Sequence, residues 1–491
     1  MADIHRTTLE PGKLDLLTTW LPHQRWYAGK GRTPSLRKLG GYRLDDPAGR
    51  VGIEVMVVAD ESGAQPVVYQ VPLTYRSAAL PGGDSALVGT TKHGVLGTRW
   101  VYDGPHDPVF VAQLLALIQG VAEPQAQSQS WTRDPTVHGH AVGGTVVELA
   151  SSSVLRGEQS NTSVICHVRG PGHADAEPMI IKVFRALGAG ENPDVVVQSA
   201  LTQAGSTQVP HTVGDVSGEW EDPVTGDRVR GHLAFAQRFL PGVEDAWRVA
   251  YRAAADGADF TGPARELGEA TAHIHLSLAQ TMGTAEASEQ DRAELTRIVR
   301  ARYDQAAAEV PSLESDAPQI QRVLTALDEH PWPPLQRIHG DYHLGQVLHT
   351  ATGWVAVDFE GEPLRPLSER VRPDLALRDV AGMLRSFDYA GGSVEMTELP
   401  DGTHPDARDW VAACREAFLD GYGSVASLDP RSALPLLRAL ELDKALYELI
   451  YEARNRPTWI PIPATAIDRI VSDPAAEDHA RQGTGVRKGS S

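Results

Sequence analysis

Apolar residues recur along the chain in two rhythms, and the change from one to the other divides it. From Trp20 to about Asp103 the rhythm is that of strands. Val51 to Val58 and Val67 to Leu73 are rich in β-branched residues and are separated by the turn-forming run Asp60 to Pro66. The segment Pro108 to Gly120 then sets Phe110, Val111, Leu114, Leu115 and Ile118 at helical spacing, closed by Gly120. After a linker rich in Gln and Pro, from Glu123 to about Pro135, strand-like runs return around Thr145 to Leu149, Thr162 to Val168 and Pro178 to Phe184. A helix is expected from Asn192, then an apolar run at Leu233 to Leu240. From Asp245 onward helical spacing prevails, with Leu267, Ala270, Ile274 and Leu278 on one face and short strand-like pieces around Gln336 and Trp354.

This order predicts an α+β chain with an N-terminal β-rich cap over residues 1–105, a sheet lobe over 106–240, a helical lobe over 241–475 and a disordered tail over 476–491. A β-rich lobe joined near Phe239 to Gly242 to a helical lobe carrying loops is the bilobal arrangement of protein-kinase-like folds. The length of 491 residues accommodates such a division.

Composition narrows the partners. The net charge of -19, from 64 acidic against 45 basic side chains, opposes a nucleic-acid backbone but is compatible with a magnesium-bound nucleotide. Cys166 and Cys414 are too few for a disulfide framework, which fits a reducing cytoplasm. The N-terminus lacks signal-peptide character, and no apolar run approaches the ~18 residues of a membrane span. The expectation is a cytoplasmic protein, monomeric, with no membrane or nucleic-acid partner.

The chemistry concentrates between His339 and Glu362, in HGDYHLGQVLHTATGWVAVDFEGE. Phosphoryl transfer from ATP needs a group to orient the attacking hydroxyl and oxygen ligands for Mg²⁺. The kinase template supplies an Asp, an amide five residues on and a second Asp opening a DF motif. Here these are Asp341, Gln346 and Asp358. Asp341 is expected to accept the acceptor hydroxyl's proton late in a loose transition state. Gln346, one methylene longer than the usual Asn, and Asp358, at the end of the strand Trp354 to Val357, are the expected metal ligands.

QRIHGDYHLGQ, VDFEGEP and RDVAGMLRSFDYA resemble the bacterial maltokinase and glucosamine kinase group within the aminoglycoside-phosphotransferase-like kinases. So do WLPHQRWYAGKGR from Trp20, EQSNTSV from Glu158 and LDKALYELIYEARNRPTWIPIP from Leu442, so the resemblance spans most of the chain. It implies that Ser160, Asn161 and Thr162 belong to a loop over the ATP phosphates and that Lys182, in IIKVF, reaches the α- and β-phosphates. A lysine at a strand edge that merely discourages edge pairing is the alternative for Lys182. In AFAQRFLPG, the backbone near Gln237 to Phe239 is read as the adenine hinge or, equally, as an interior strand. The group usually carries a Glu shortly after NPD to pair the lysine. Val196 stands there, leaving Asp194, Gln198 or Asp358 as the partner of Lys182.

The resemblance covers kinases of maltose and of glucosamine, and YQVPLTYR, LGTRWVYDG, NPDVVVQ and LAFAQRFLPGVEDAWRVA favour D-glucosamine, phosphorylated at the 6-position. Maltose 1-phosphate formation is the alternative; aminoglycoside phosphorylation and a catalytically silent binding module are more distant. An aminosugar ammonium calls for carboxylates, and Glu441, Asp443 and Glu448 are available, unless they form a salt-bridged helix face. Trp459 is a candidate to stack on the sugar ring or to lie in the core. His343 and Arg385 are candidates for the same cleft, although Arg385 could instead bridge helices.

Overall fold

The structure, a computed structural model, describes residues 7–127, 132–157, 160–362, 365–398 and 404–472. The tail expected over 476–491 and the first residues of the EQSNTSV motif, Glu158 and Gln159, lie outside them. The chain divides into two compact units, residues 1–199 with 210–241 and residues 200–209 with 242–491.

The first unit holds two antiparallel sheets. Strands β1 (Leu9–Glu10), β2 (Leu36–Leu44), β3 (Gly52–Asp60), β4 (Val67–Arg76), β5 (Leu87–His93), β6 (Gly97–Asp103) and β7 (Gln125–Ala126) form one, in the order β1-β5-β6-β4-β3-β2-β7. The second has the order β8-β12-β13-β11-β10-β9, from β8 (His138–Ala141), β9 (Glu148–Val154), β10 (Asn161–Arg169), β11 (Met179–Phe184), β12 (Thr212–Glu221) and β13 (Arg228–Arg238). Helix α1 (Lys13–Trp20) precedes β2, and α2 (Pro108–Ile118) follows β6, its start capped by the Asp107 side chain. Helix α3 (Pro193–Gln203) follows β11.

Alternation of side chains gives β3 two apolar faces. Val55 and Val57 pack into a core shared with α2 and the second sheet, through Phe110, Leu114, Ile181 and Val216. Met56 and Val58 face a separate core built on Leu17, Trp20, Trp26 and Tyr69. The two sheets are laced together by their backbones: Gln70 N–H donates to Arg185 O at 2.8 Å and Leu187 N–H to Val68 O at 2.8 Å. Arg185, wholly buried, donates from Nη2 to Asp103 Oδ2 at 2.6 Å and from Nε to Thr162 Oγ1 at 2.8 Å, and stacks on Trp26.

Three expectations are corrected here. The strand expected at Thr145 to Leu149 runs instead from Glu148 to Val154, because the serine run 151–153 pairs with β10 while Val146 is exposed. The expected linker contains β7, whose Ala126 pairs with Tyr42. Strand β12 was not expected, since Gly214 and Gly218 dilute its apolar pattern.

The second unit is mainly helical. Its helices are α4 (Ala246–Ala255), α5 (Thr261–Met282), α6 (Glu289–Glu309), α7 (Ala317–Glu329), α8 (Leu367–Arg370), α9 (Leu377–Glu395), α10 (Arg408–Val425), α11 (Leu434–Asn455) and α12 (Pro461–Ser472). A hairpin of Val347–Thr350 with Gly353–Ala356 carries the central motif. Among the described residues no helix is long and apolar enough to cross a membrane.

Candidate active site

The segment containing Asp341 has little regular structure and is held by its neighbours. The buried Asp379 carboxylate, in the first turn of α9, accepts the N–H of His339 at 2.8 Å and of Gly340 at 2.9 Å. His275 of α5 approaches the same carboxylate at 3.1 Å through Nε2, while its Nδ1 meets Tyr422 of α10 at 2.8 Å. Burial pushes the Asp379 carboxyl up, but the His275 hydrogen bond and charge, His339 and the Gly340 N–H outweigh it and hold it below the ordinary carboxylate value. One anion on α9, met by His275 of α5 and through it by Tyr422 of α10, thus fixes the two residues before Asp341. The following residue is fixed by close approach: a Cβ on Gly382 of α9 would lie 2.5 Å from Tyr342 O.

Asp341 is partly exposed, and its Oδ1 lies 3.2 Å from Lys444 Nζ of α11. Burial opposes the Lys444 charge, but the carboxylates of Asp341, Glu448 and Glu362 overcome it and raise its pKa. Asp341, Glu362 and Lys444 also line one small cavity with Arg302 and Arg378. His343 caps the turn Leu344–Gln346, accepting the Gly345 N–H on Nδ1 at 3.1 Å. Burial pushes the His343 imidazole down to about 4 against the pull of Asp341, so it is neutral at pH 7.

The hairpin brings the next two expected residues together: Gln346 Nε2 donates to Asp358 Oδ2 at 3.2 Å. Asp358 has φ of 66°, a left-handed conformation uncommon outside glycine, directly after the strand Gly353–Ala356 and Val357. An amide and a carboxylate offer the hard oxygens that Mg²⁺ takes, so this pair fits the expected ion.

In the first unit, Lys182 of β11 pairs with Asp194 Oδ2 at 2.7 Å, one of the three partners left open by the sequence. Asp194 Oδ1 accepts Gln198 Nε2 at 2.5 Å, four residues along α3. At about 100° per residue, Val196 points away from the face shared by 194 and 198, so its lack of charge costs the pair nothing.

Several expected site residues are placed otherwise. Asp443 is buried with Oδ1 on Arg302 and Oδ2 on Arg378, which satisfies its charge inside the protein. Glu441 takes Arg415. Arg385, wholly buried on α9, donates from Nε and Nη2 to Glu448 Oε2 of α11 and from Nη1 to Asp388, so it bridges helices instead of lining a cleft. Glu448 therefore already shares one oxygen with a guanidinium. One face of the half-buried Trp459 carries Arg456, 4.4 Å from its ring.

Ser160 is exposed and accepts from Asn161 Nδ2, but Asn161 and Thr162 open β10 and are buried, with the Thr162 hydroxyl engaged by Arg185. Gln237 lies between Ile180 and Thr212 in register, an interior-strand position, and the Phe239 N–H is donated to Pro178 O at 2.8 Å and so is not available to a base. The contacts of Lys444 and Asp379 with the Asp341 segment were not expected, although both stand inside the motifs LDKALYE and RDVAGML. Nothing in their spacing distinguishes a site-facing charge from an ordinary helical one.

A helical unit presenting Asp341 beside a Gln346–Asp358 pair, together with a sheet unit carrying a Lys182–Asp194 ion pair, defines a kinase-like phosphotransferase of the aminoglycoside-phosphotransferase type. Glucosamine kinase of Streptacidiphilus jiangxiensis is 31% identical over 336 residues, covering 64% of this chain and 72% of that protein. The chain belongs to the glucosamine kinase family. Glucosamine kinase of Mycolicibacterium smegmatis is 27% identical over 375 residues, covering 72% of this chain and 88% of the relative. Family models match as the maltokinase N-terminal cap domain at residues 20–107 and the phosphotransferase enzyme family at 197–436. A solved glucosamine kinase in complex with glucosamine, ADP and inorganic phosphate has a TM-score of 0.63 and 25% identity, covering 94% of this chain and 99% of that one.

Proposed function

We propose that this chain is a cytoplasmic, monomeric, ATP-dependent glucosamine kinase that transfers the γ-phosphoryl group to the 6-hydroxyl of D-glucosamine. The observation that carries the reading is Asp341, held by the Asp379-anchored segment next to the Gln346–Asp358 pair, in a chain of the glucosamine kinase family. Asp341 accepts a hydrogen bond from the sugar hydroxyl, orients its lone pair toward the phosphorus and takes the proton as the new O–P bond forms and the bond from the γ-phosphorus to the bridging oxygen breaks, releasing ADP. Asp358 and Gln346 would hold Mg²⁺, which when bound screens the charge of the phosphoryl oxygens. Lys182, its direction fixed by Asp194, binds ATP phosphates.

Lys444 Nζ lies 3.2 Å from Asp341 Oδ1, and the charges of Glu448 and Glu362 add to the field that favours its ammonium. Such a set is the chemistry that would also favour the ammonium of an aminosugar over a neutral hydroxyl. The cap model shared with maltokinases supports maltose as the second reading. ATP-dependent turnover on glucosamine, N-acetylglucosamine, glucose, maltose and an aminoglycoside, with the product position read by NMR, decides between them. Glucosamine is expected to be turned over far better than N-acetylglucosamine or glucose; turnover of maltose with none of glucosamine refutes the substrate assignment.

A further inference from the structure

Lys182 owes its direction to Asp194, and Asp194 is the second residue of α3, so whatever fixes the start of that helix fixes the ion pair. Asn192 is the cap: its Oδ1 accepts the Asp194 N–H at 2.9 Å, and its carbonyl accepts the N–H groups of Val195 and Val196. The cap residue is tied to the sheet in turn. Its own N–H donates to Nδ1 of His232, on β13, at 3.0 Å. A ring nitrogen that accepts carries no proton, so the neutral imidazole keeps its hydrogen on Nε2, which faces Asp215 Oδ2 of β12 at 3.8 Å. Asp215 Oδ1 lies 3.3 Å from Nδ1 of the exposed His140 on β8.

These three side chains line an open cavity of about 540 Å³ with His138, Glu191 and Arg230, so protons from solvent reach the ring. Burial pushes His232 below the ordinary histidine value, Asp215 and Glu191 pull against it, and Arg230 adds to the push. The ring is neutral at pH 7. A second proton, on Nδ1, would set N–H against the N–H of Asn192 and remove the acceptor.

We propose that His232 is a positioning residue for the phosphate-binding lysine: as a neutral imidazole it holds Asn192, through Asn192 the first turn of α3, and through that turn the Asp194 carboxylate against Lys182. This rests on the reading of Lys182 as a ligand of ATP phosphates. The bond is intact at neutral pH and is lost as the pH falls through the folded-state value of the ring, which burial holds below that of an ordinary histidine. ATP affinity then weakens in acid through a ring that does not itself touch the nucleotide.

Two substitutions separate the acceptor from the bulk of the ring. Asparagine carries its amide oxygen where imidazole carries Nδ1, and does not titrate; glutamine carries it farther out, toward the Nε2 position. His232→Asn is expected to keep the ATP dissociation constant within about twofold of the parent and to flatten its rise as the pH is lowered from 7. His232→Gln is expected to weaken ATP about tenfold. In a Lys182→Met background, His232→Gln should change ATP binding no further. Calorimetric titration of ATP with Mg²⁺ into each variant reads all of these, and circular dichroism verifies folding.

Equal damage from Asn and Gln, unchanged ATP affinity in His232→Gln, or a full effect of His232→Gln in the Lys182→Met background would each overturn the proposal. A parent protein that binds ATP and phosphorylates glucosamine under those outcomes keeps the functional reading. A parent that does not bind ATP refutes both.

Discussion

Lys444 Nζ stands 3.2 Å from Asp341 Oδ1, so the group expected to receive the proton is steadied by an ammonium arriving 103 residues later in the chain. Asp341→Asn is expected to lower kcat by on the order of 10² or more with ATP affinity retained, since the proton acceptor is lost and the fold is not. Lys444→Met should lower kcat about tenfold by freeing the carboxylate to turn. Steady-state kinetics on folded variants checks both, and near-normal kcat in Asp341→Asn would remove Asp341 from its role.

The Gln346–Asp358 pair predicts an order of severity. Asp358→Ala should abolish magnesium-dependent turnover, whereas Gln346→Asn retains an amide oxygen at shorter reach and should be milder. Titrating MgCl₂ against activity reads the difference. Full activity of Asp358→Ala at ordinary magnesium would rule out this ligand assignment.

Asp379 predicts a pH dependence of stability. Its folded-state pKa is depressed, so its contribution is complete above the unfolded value of 3.8 and disappears as the pH falls through the lower folded value. Asp379→Asn should therefore be less stable than the parent at pH 7, by roughly 1.5 to 3 kcal/mol for hydrogen bonds to a charged group. The gap should narrow below about pH 3.8. Urea unfolding at pH 7 and pH 3 measures it; a gap of constant size would mean that the carboxylate charge is not what secures the loop.

Legibility differed between backbone and charge. Strands β3, β4, β10 and β11 and helix α2 were readable because their apolar residues keep one period over a whole element. The meeting of Gln346 with Asp358 was readable because phosphoryl transfer imposes a spacing within one short segment. The acidic face of α11 was not. Glu441, Asp443 and Glu448 share a helix with Lys444, and only tertiary structure shows that arginines from other helices, Arg415, Arg302, Arg378 and Arg385, reach the three acids while Lys444 reaches the site. For Lys182 the sequence offered Asp194, Gln198 or Asp358 without choosing: the Asp194 counter-charge sits two residues before Val196, and helix phase, not motif position, brings it to the lysine.

The wholly buried Arg185 predicts a strong thermal effect. Arg185→Met leaves the buried Asp103 carboxylate without its guanidinium and should cost about 3 to 5 kcal/mol. Adding Asp103→Leu should restore part of that loss, because an apolar pair needs no compensation in the interior. Scanning calorimetry of the single and double variants checks it; a double variant less stable than Arg185→Met would contradict this account.

The same guanidinium sets a dependence in time as well as in space. During synthesis Asp103 leaves the ribosome 82 residues ahead of Arg185, with His106 beside it but without the cation that justifies its burial. The first sheet therefore reaches its final electrostatic state only after β11 has been made and has brought Arg185 with it. Released alone as a fragment, residues 1–105 would carry an interior anion awaiting its partner, and a foreign cap joined to this sheet would need a carboxylate at that point to be accepted.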